Sequence, residues 1–315
     1  MLEYVLSQFS KKHVAIIGDI MLDVYARGVV ERISAEAPVP VVWKQTEDGM
    51  LGGAGITACN VVSLCGTCTL AGVLGNDQYG ARIQKILDKT DVHLYFLEFD
   101  NRSTTVKYRI VAGENHQLLR VDIEDITPLG DGEAEQLFIK MEQVLIRSNV
   151  IVLSDYAKGC LTPYLVRRIT EYARTRGISV IADCKPNNLH FFSDVDVLCP
   201  NEKEAREMVA VFDGSIEDVG KCLRERVQGT VIITCDSRGV YVFTKEGAIE
   251  YIPALKVEAR GVSGAGDTFV AALALSLASS ADVISAARIA TIAGGLAASK
   301  LQTTALTLEE LSDAV

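Results

Sequence analysis

Short and almost uniformly apolar segments alternate with longer amphipathic segments along most of this 315-residue chain. The amphipathic segments, for example 131–147 and 161–176, have the periodicity of helices that cover a core. Strands that are apolar on both faces are typical of a parallel sheet buried between two helical layers. A repeated strand–helix–strand order therefore predicts an α/β fold with a mostly parallel central sheet and helices on both faces. The predicted strands lie at 13–19, 68–75, 149–155, 178–183, 195–201 and 230–236.

Two stretches depart from this pattern and predict a second, smaller sheet, with strands from about 24–45 and 104–122. In the second stretch, apolar residues at 106, 108 and 110 alternate with Lys107 and Arg109. Such alternation is typical of an antiparallel sheet with one solvated face. We expect this sheet to form a lid beside the central sheet, and its half-apolar strands to mediate a homodimer.

The chain is acidic, with a net charge of −10 at pH 7. Such a charge repels nucleic-acid backbones and anionic lipid, so we expect neither nucleic acid nor a membrane as a partner. The N-terminus lacks the layout of a secretory signal. The most apolar stretch, 268–299, contains Asp282 and Arg288 and predicts two packed core helices rather than a membrane span. We therefore expect a cytoplasmic protein.

The eight cysteines are scattered, several of them within apolar segments, as is typical of reduced, buried thiols. Cys65 and Cys68 form a C-x-x-C pair. Neither a second pair nor histidines at ligand spacing accompany it, so the sequence predicts no zinc site. A redox role for the pair stays open, although its thioredoxin-like context is not recognisable.

Five of the predicted strands end in polar residues. Because the carboxyl ends of parallel strands meet at one edge of an open sheet, these side chains predict a shared ligand crevice there. The alternative for each is an ordinary helix N-cap, a position that Asp and Asn favour. The five residues are Asp19, Asp155, Asp183, Asn201 and Asp236.

The segment GGAGITA, at 52–58, contains the spacing G-x-G-x-x-A of dinucleotide-binding loops. That fingerprint needs a strand directly before it, and the polar segment TEDGM precedes it here. A phosphate-binding G-x-x-x-x-G-K-[ST] motif is absent from the sequence. We interpret the segment as a Gly-Gly turn that lets a ligand approach the backbone.

A second glycine-rich segment, GVSGAGD at 261–267, precedes a long apolar run. We expect a helix to begin at about Ala265, so that glycine amides and the helix dipole form an anion hole. A carboxylate there, Asp267, disfavours simple anion binding but suits phosphoryl transfer, in which a base takes a proton while charge develops on phosphorus. The alternative is that Asp267 is only a first-turn partner of the helix dipole.

These segments resemble the signatures of the PfkB (ribokinase-like) carbohydrate kinases. GVSGAGDTF resembles the C-terminal signature, PNEKEA supplies the N-x-x-E motif as Asn201 and Glu204, and LGGAGITACNVVSLCG lies where the Gly-Gly motif belongs. GDIMLDVYARG, NHQLLRVD and LSDYAKG further resemble the heptose-phosphate kinases of this family. Those enzymes phosphorylate D-glycero-β-D-manno-heptose 7-phosphate at O1 with ATP, toward ADP-heptose and lipopolysaccharide cores.

The resemblance implies one ribokinase-like kinase domain over residues 1–315. Many relatives carry a second, adenylyltransferase part with an H-x-G-H motif. None of the four histidines has that spacing, so we expect no adenylyltransferase domain in this chain.

The resemblance also implies roles for individual residues. The catalytic group comprises the base Asp267 with an anion hole at Gly264, Ala265 and Gly266. ATP and Mg²⁺, the latter held through water, would be organised by Asn201 and Glu204, with Thr234, Ser237 and Gly239 near the nucleotide. Sugar hydroxyls and phosphate would be held by Asp19, Asp23, Gly52, Gly53, Gln117, Arg120, Lys158 and Lys185. For Lys158 and Arg120, a solvated surface position is the alternative.

Three positions depart from the family pattern. Gly261 replaces an aspartate that orders the last loop and, in many members, a monovalent cation site, so we do not expect that cation here. Ile56 replaces a sugar-binding asparagine, whose hydrogen bonds an isoleucine cannot make. Cys184 replaces a proline.

Three hypotheses follow: a heptose-phosphate kinase, a related kinase for another sugar or sugar phosphate, and a non-catalytic regulator that binds ATP or a sugar phosphate. The retained Asp267 argues against the third.

Overall fold

The structure, a computed structural model, describes residues 2–113, 116–258, 264–300 and 305–315. Its strands are β1 (His13–Gly18), β2 (Ile20–Ile33), β3 (Pro40–Gly53), β4 (Thr67–Gly75), β5 (Val92–Phe99), β6 (Thr105–Ala112), β7 (His116–Ile123), β8 (Val150–Ser154), β9 (Ser179–Asp183), β10 (Val197–Leu198), β11 (Thr230–Thr234), β12 (Gly239–Phe243) and β13 (Ile249–Pro253). Its α-helices are α1 (Leu2–Ser7), α2 (Ala54–Ser63), α3 (Gln78–Leu87), α4 (Asp131–Leu145), α5 (Pro163–Arg176), α6 (Glu202–Val209), α7 (Ile216–Val227), α8 (Ala265–Ala278), α9 (Val283–Ser299) and α10 (Leu308–Ser312).

The central sheet has the strand order β13-β12-β11-β10-β9-β8-β1-β4-β5. Every neighbouring pair from β11 to β5 is parallel, and β12 and β13 add antiparallel strands at one edge. The predicted mostly parallel sheet is therefore confirmed. Its inner strands are fully buried, as β8 is along its whole length, which explains their continuous apolar sequence. Strand β10 retains only two of its seven predicted residues.

Helices cover both faces of this sheet. On one face α2, α8 and α9 pack against the sheet, and alanine is the commonest buried residue of α8 and α9, where its small side chain lets the two helices approach each other closely. On the other face α4 to α7 enclose a second core with Phe192 and Phe243 at its centre. The two helices predicted within 268–299 are confirmed as α8 and α9. Within the described ranges, the structure contains no helix long and apolar enough to cross a membrane.

The small sheet has the order β3-β2-β6-β7. Its two outer pairings are antiparallel, as expected, whereas the central β2–β6 pairing is parallel because β6 returns to the sheet after α3 and β5. Strands β2 and β3 are each 14 residues long and pair from Ile20–Gly53 to Ile33–Pro40. Since β2 follows β1 after a single residue, Asp19, the small sheet is tied directly to the carboxyl edge of the central sheet.

One face of the small sheet is charged. Asp23, Lys107 and Asp122 lie opposite one another across β2, β6 and β7, and Arg109 and Arg120 are paired in the next row. The Lys107 ammonium lies 5.5 Å from the ring centre of Tyr156, which follows β8. The charged face therefore turns toward the carboxyl edge of the central sheet, where the polar strand ends predict a ligand crevice.

Candidate active site

Asp267 lies in the first turn of α8, which begins at Ala265 as expected. Gly264 precedes the helix with a φ of 87°, a left-handed conformation that glycine adopts without steric cost. The first amides of a helix have no partner within it, and a Cβ at Gly266 would meet no atom of the described residues within 4 Å. The first amides of α8 and the carboxylate of Asp267 therefore lie together at the start of the helix. Gly261 and the rest of 259–263 lie outside the described residues.

The carboxylate of Asp267 is held by two hydroxyl groups. Thr57 Oγ1, on α2, and the Tyr156 hydroxyl donate to Oδ1 at 3.0 and 2.9 Å. Burial raises the pKa of Asp267, and these two hydrogen bonds oppose that shift. Sequence reasoning missed both donors, although Thr57 lies in the Gly-Gly segment and Tyr156 in LSDYAKG.

Asp19, predicted as a sugar-binding residue, lies at the carboxyl end of β1 beneath the 156–160 loop. It is 2% exposed, and its carboxylate accepts the backbone N–H groups of Tyr156, Lys158 and Cys160 at 2.8 to 3.1 Å. Burial raises its pKa, against these hydrogen bonds. Asp19 therefore holds the 156–160 loop in place.

The Gly-Gly motif has a packing role in this structure. Gly53 has a φ of 57°, and a Cβ there would lie 2.3 Å from the carbonyl oxygen of Asp19. A Cβ at Gly52 would lie 2.7 Å from the carboxylate of Asp23. The two glycines thus let β3 approach β2 closely, and the half-buried Ile56 follows in the first turn of α2.

Two of the predicted sugar-binding residues of the small sheet, Asp23 and Arg120, form ion pairs with other residues of that sheet. Arg109 and Asp23 form an ion pair at 2.6 Å with both side chains less than 20% exposed. Arg120, 48% exposed, pairs with Asp122 at 2.8 Å. Gln117 is exposed near the edge of β7. Asp23 therefore faces the crevice with a cation beside it, whereas Gln117 and Arg120 lie toward solvent.

Lys158 is also paired, with Glu124 at 2.6 Å. Its backbone carbonyl accepts a hydrogen bond from Arg102, which also donates to the carbonyls of Asp125 and Thr127. These contacts hold the segment after β7 against the 156–160 loop.

The N-x-x-E motif forms the capping box of α6. Asn201 Oδ1 accepts the N–H of Glu204 at 2.9 Å, and Glu204 Oε2 accepts the N–H of Asn201 at 3.2 Å. The other oxygen of Glu204 lies 2.5 Å from the ammonium of Lys185. Lys185 in turn lies 5.2 Å from the ring centre of Tyr156. The motif is therefore linked to the loop that holds Asp267.

Asp183, the last residue of β9, lies near Glu204 and Lys185. Together with Asn201 these residues form the cluster at α6. Burial, reinforced by the charges of Glu204 and Asp267, raises the pKa of Asp183 to about 8. Oxygen ligands suit Mg²⁺, which usually takes one or two carboxylates together with substrate phosphates. Glu204 and Asp183 fit that pattern, and the described residues contain no group of three or more side chains that could hold a metal alone.

The remaining expected nucleotide residues lie beside Asn201. Thr234 forms an isolated parallel bridge with Asn201 at the end of β11. Ser237 lies in the 3₁₀ turn Asp236–Arg238, and Gly239 begins β12. Arg238 forms an ion pair with Glu202 of α6. Of the five polar strand ends, Asp183 and Asn201 meet at the cluster, whereas Asp155 accepts the backbone N–H groups of Ala157 and Lys185.

Comparisons with known proteins identify the family and the fold. The family described as pfkB family carbohydrate kinase matches residues 11–310. The bifunctional protein HldE of Caulobacter vibrioides is 40% identical over 310 residues, which are 96% of this chain and 63% of that protein. HldE of Coxiella burnetii is 34% identical over 98% of this chain and 65% of its own length. The chain thus spans less than two thirds of the relatives it matches.

Solved structures show the same fold at low sequence identity. Arabidopsis thaliana ribokinase, solved with ribose and ATP, is 18% identical, with a TM-score of 0.75 over 96% of this chain and 98% of that one. Phosphofructokinase-2 of Escherichia coli is 19% identical, with a TM-score of 0.77 over 96% and 97%. The predicted ribokinase-like fold is confirmed. The chain belongs to the pfkB family of carbohydrate kinases, which transfer phosphate from ATP to a sugar.

Proposed function

We propose that this protein transfers the γ-phosphoryl group of ATP to O1 of D-glycero-β-D-manno-heptose 7-phosphate. The products would be the 1,7-bisphosphate and ADP, on the route to ADP-heptose and lipopolysaccharide cores. The observation that carries the proposal is the position of Asp267, a half-buried carboxylate held by two hydroxyls at the start of α8. Similarity to HldE proteins over 96–98% of the chain supports the choice of substrate.

Each group of the cluster has a role in this reaction. Asp267 takes the proton from the attacking hydroxyl, and the amides of Gly264, Ala265 and Gly266 meet the charge that develops on the phosphoryl oxygens. Lys185 adds a positive charge near the same edge of the sheet. Mg²⁺, when bound with ATP, would neutralise phosphate charge. Asn201, Glu204 and Asp183 would hold it, largely through water.

A phosphorylated sugar fits the charged face of the small sheet. Lys107 has no carboxylate partner among the described residues, and burial is the main cause that lowers its pKa. Arg109, Arg120 and Lys158 are its positive neighbours, and each already has a carboxylate partner. Because an acidic protein needs a local cation to hold an anionic substrate, we assign the sugar phosphate to Lys107.

Ile56 supports a second candidate, a kinase for another sugar or sugar phosphate. It lies one residue before Thr57, the donor to Asp267. An apolar side chain cannot make the hydrogen bonds of the asparagine that the family resemblance expects there. A substrate lacking the matching hydroxyl would therefore be accepted more readily than in relatives.

We also propose that the protein is cytoplasmic and forms a homodimer through the small sheet. The described cysteines are all free thiols, which suits a reducing compartment. The small sheet ends in unpaired edges at β3 and β7 and exposes a set of large apolar side chains. These are Val30, Ile33, Trp43, Leu119 and Val121.

The test is ADP release from Mg-ATP by purified protein with a panel of acceptors. The panel holds D-glycero-β-D-manno-heptose 7-phosphate, its α anomer, fructose 6-phosphate, fructose, ribose and adenosine, with Asp267→Asn as the inactive control. Turnover of the β heptose phosphate alone would support the proposal. Turnover of another acceptor would favour the second candidate. Retained ATP binding without turnover of any acceptor would point to a non-catalytic regulator.

A further inference from the structure

Tyr156, in the loop between β8 and α5, contacts three parts of the site at once. Its hydroxyl lies 2.9 Å from Asp267 Oδ1. The ammonium groups of Lys107, on the small sheet, and Lys185, beside Glu204, lie 5.5 and 5.2 Å from its ring centre. The residue therefore links the small sheet, the carboxylate of α8 and the cluster at α6.

The loop that carries Tyr156 is itself fixed. The backbone N–H of Tyr156 donates to Asp19 Oδ2 at 2.8 Å, and Asp19 is buried beneath the loop. The N–H groups of Lys158 and Cys160 hold the other end of the same loop to this carboxylate. Tyr156 thus reaches Asp267 from a rigid support, as a positioning group requires.

The two oxygens of Asp267 differ in their surroundings. Oδ1 accepts hydroxyl hydrogen bonds from both Tyr156 and Thr57. Among the residues that the structure describes, no side chain donates to Oδ2. The side-chain donors that the structure shows for Asp267 therefore both contact Oδ1.

We propose that Tyr156 and Thr57 are positioning residues that hold Oδ1 of Asp267, so that Oδ2 takes the proton from the sugar hydroxyl. The inference rests on the proposed role of Asp267 as the base. In the step, the proton moves to Oδ2 and the hydroxyl oxygen forms a bond to the γ-phosphorus of ATP. The bond from that phosphorus to the bridging oxygen breaks, and ADP leaves.

The same geometry has an electrostatic consequence. Hydrogen bonds from hydroxyl groups stabilise the ionised carboxylate, whereas burial destabilises it. Burial also raises the pKa of Tyr156 well above its ordinary value, so its hydroxyl stays protonated and remains a donor. Removal of either donor should raise the pKa of Asp267.

The first test needs no substrate. Carbon-13 NMR of carboxyl-labelled aspartates follows the titration of Asp267, whose signal is assigned by its loss in Asp267→Asn. Tyr156→Phe keeps the ring beneath both ammonium groups and removes only the hydroxyl. We expect Tyr156→Phe and Thr57→Val each to raise the pKa of Asp267 by about one unit, the effect of one hydrogen bond to a charged group.

Two control variants isolate the effect of these hydroxyls. Thr57→Ser keeps the donor, and Tyr164→Phe removes a tyrosine hydroxyl that contacts Glu135 on the far helices. Neither should move the titration of Asp267. An unchanged pKa in both Tyr156→Phe and Thr57→Val would overturn the inference, and a shift confined to Thr57→Val would overturn the role of Tyr156.

The second test uses whichever acceptor the protein phosphorylates. Tyr156→Phe should lower kcat about ten- to a hundredfold and move the acidic limb of the kcat–pH profile upward, with KM for Mg-ATP within about twofold of wild type. Near-normal turnover by Asp267→Asn would refute the proposed base. An inactive Asp267→Asn beside an unaltered Tyr156→Phe would refute only the positioning role.

Discussion

The ammonium of Lys185 lies 2.5 Å from Oε1 of Glu204, while the other oxygen of the same carboxylate caps α6 through the N–H of Asn201. Oε2 of Glu204 therefore caps the helix, while Oε1 pairs with the charge of Lys185. The two tasks can be separated by substitution, because glutamine serves at this position of a capping box as glutamate does.

Glu204→Gln should keep α6 and lose the ion pair. We expect the free energy of unfolding to change by less than about 1 kcal/mol and kcat/KM for Mg-ATP to fall about ten- to a hundredfold. Denaturant unfolding and steady-state kinetics measure the two effects. Glu310→Gln is the matched control, since Glu310 caps α10 and pairs with Lys300 at 2.7 Å outside the site. Equal kinetic losses in both variants would contradict the assignment.

Asp267→Asn removes the proposed base while keeping a similar shape. We expect kcat to fall about 10²–10⁴-fold, the usual contribution of a positioned base. ATP affinity, measured by calorimetry, should stay nearly unchanged because the amides at the helix start remain. Turnover close to that of the wild type would exclude proton transfer through Asp267.

Asp183 should make stability depend on pH. Its pKa is raised to about 8 in the folded protein, above the ordinary value of 3.8, so the folded state binds this proton more tightly than the unfolded state. Stability is therefore lost as pH rises between these two values. Asp183→Asn, which resembles the protonated form, should be more stable than wild type at pH 8.5 by several kcal/mol, and nearly equal at pH 4. If the melting temperatures of the two proteins changed in parallel with pH, this role of Asp183 would be contradicted.

Lys107→Met should separate sugar binding from ATP binding. We expect KM for a phosphorylated acceptor to rise about ten- to a hundredfold, from loss of one charged contact, with KM for Mg-ATP unchanged. Lys44→Met is a control on the same sheet, because Lys44 pairs with Glu47 and is exposed. An unchanged KM for the acceptor in Lys107→Met would show that the phosphate of the acceptor does not bind at Lys107.

Leu119→Glu should dissociate the proposed homodimer. Leu119 lies 54% exposed on the edge strand β7, and a charge in a buried apolar interface is costly. Sedimentation should show a dimer for wild type and a monomer for the variant at micromolar concentration. Trp43, the single tryptophan, lies exposed on β3 and should emit at longer wavelength once the dimer separates. Ile139→Glu, at an exposed apolar position on α4, is the control and should leave the dimer intact. A monomeric wild type would exclude the dimer.

The central sheet, its order of elements and the start of α8 could be predicted because each leaves a local record in the sequence. Continuous apolar runs mark β1, β8 and β11, and glycines followed by an apolar run mark the helix. Strand β3 was harder to place, because the polar segment from Lys44 to Gly49 lacks an alternating pattern and is held by its pairing with β2.

The sequence by itself determined the α/β class, the family and the carboxylate at the start of α8, because motif spacing and hydrophobic pattern are properties of neighbouring residues. Only the tertiary structure decided what each carboxylate contacts. In the sequence, Asp19 ends a predicted strand and Asp267 begins a predicted helix. In the structure, the carboxylate of Asp19 accepts backbone N–H groups, whereas Oδ1 of Asp267 accepts hydrogen bonds from hydroxyl groups. Those partners come from distant parts of the chain, as with Thr57, which lies 210 positions from Asp267. Their meeting depends on how β1, α2 and α8 pack, which no local pattern records.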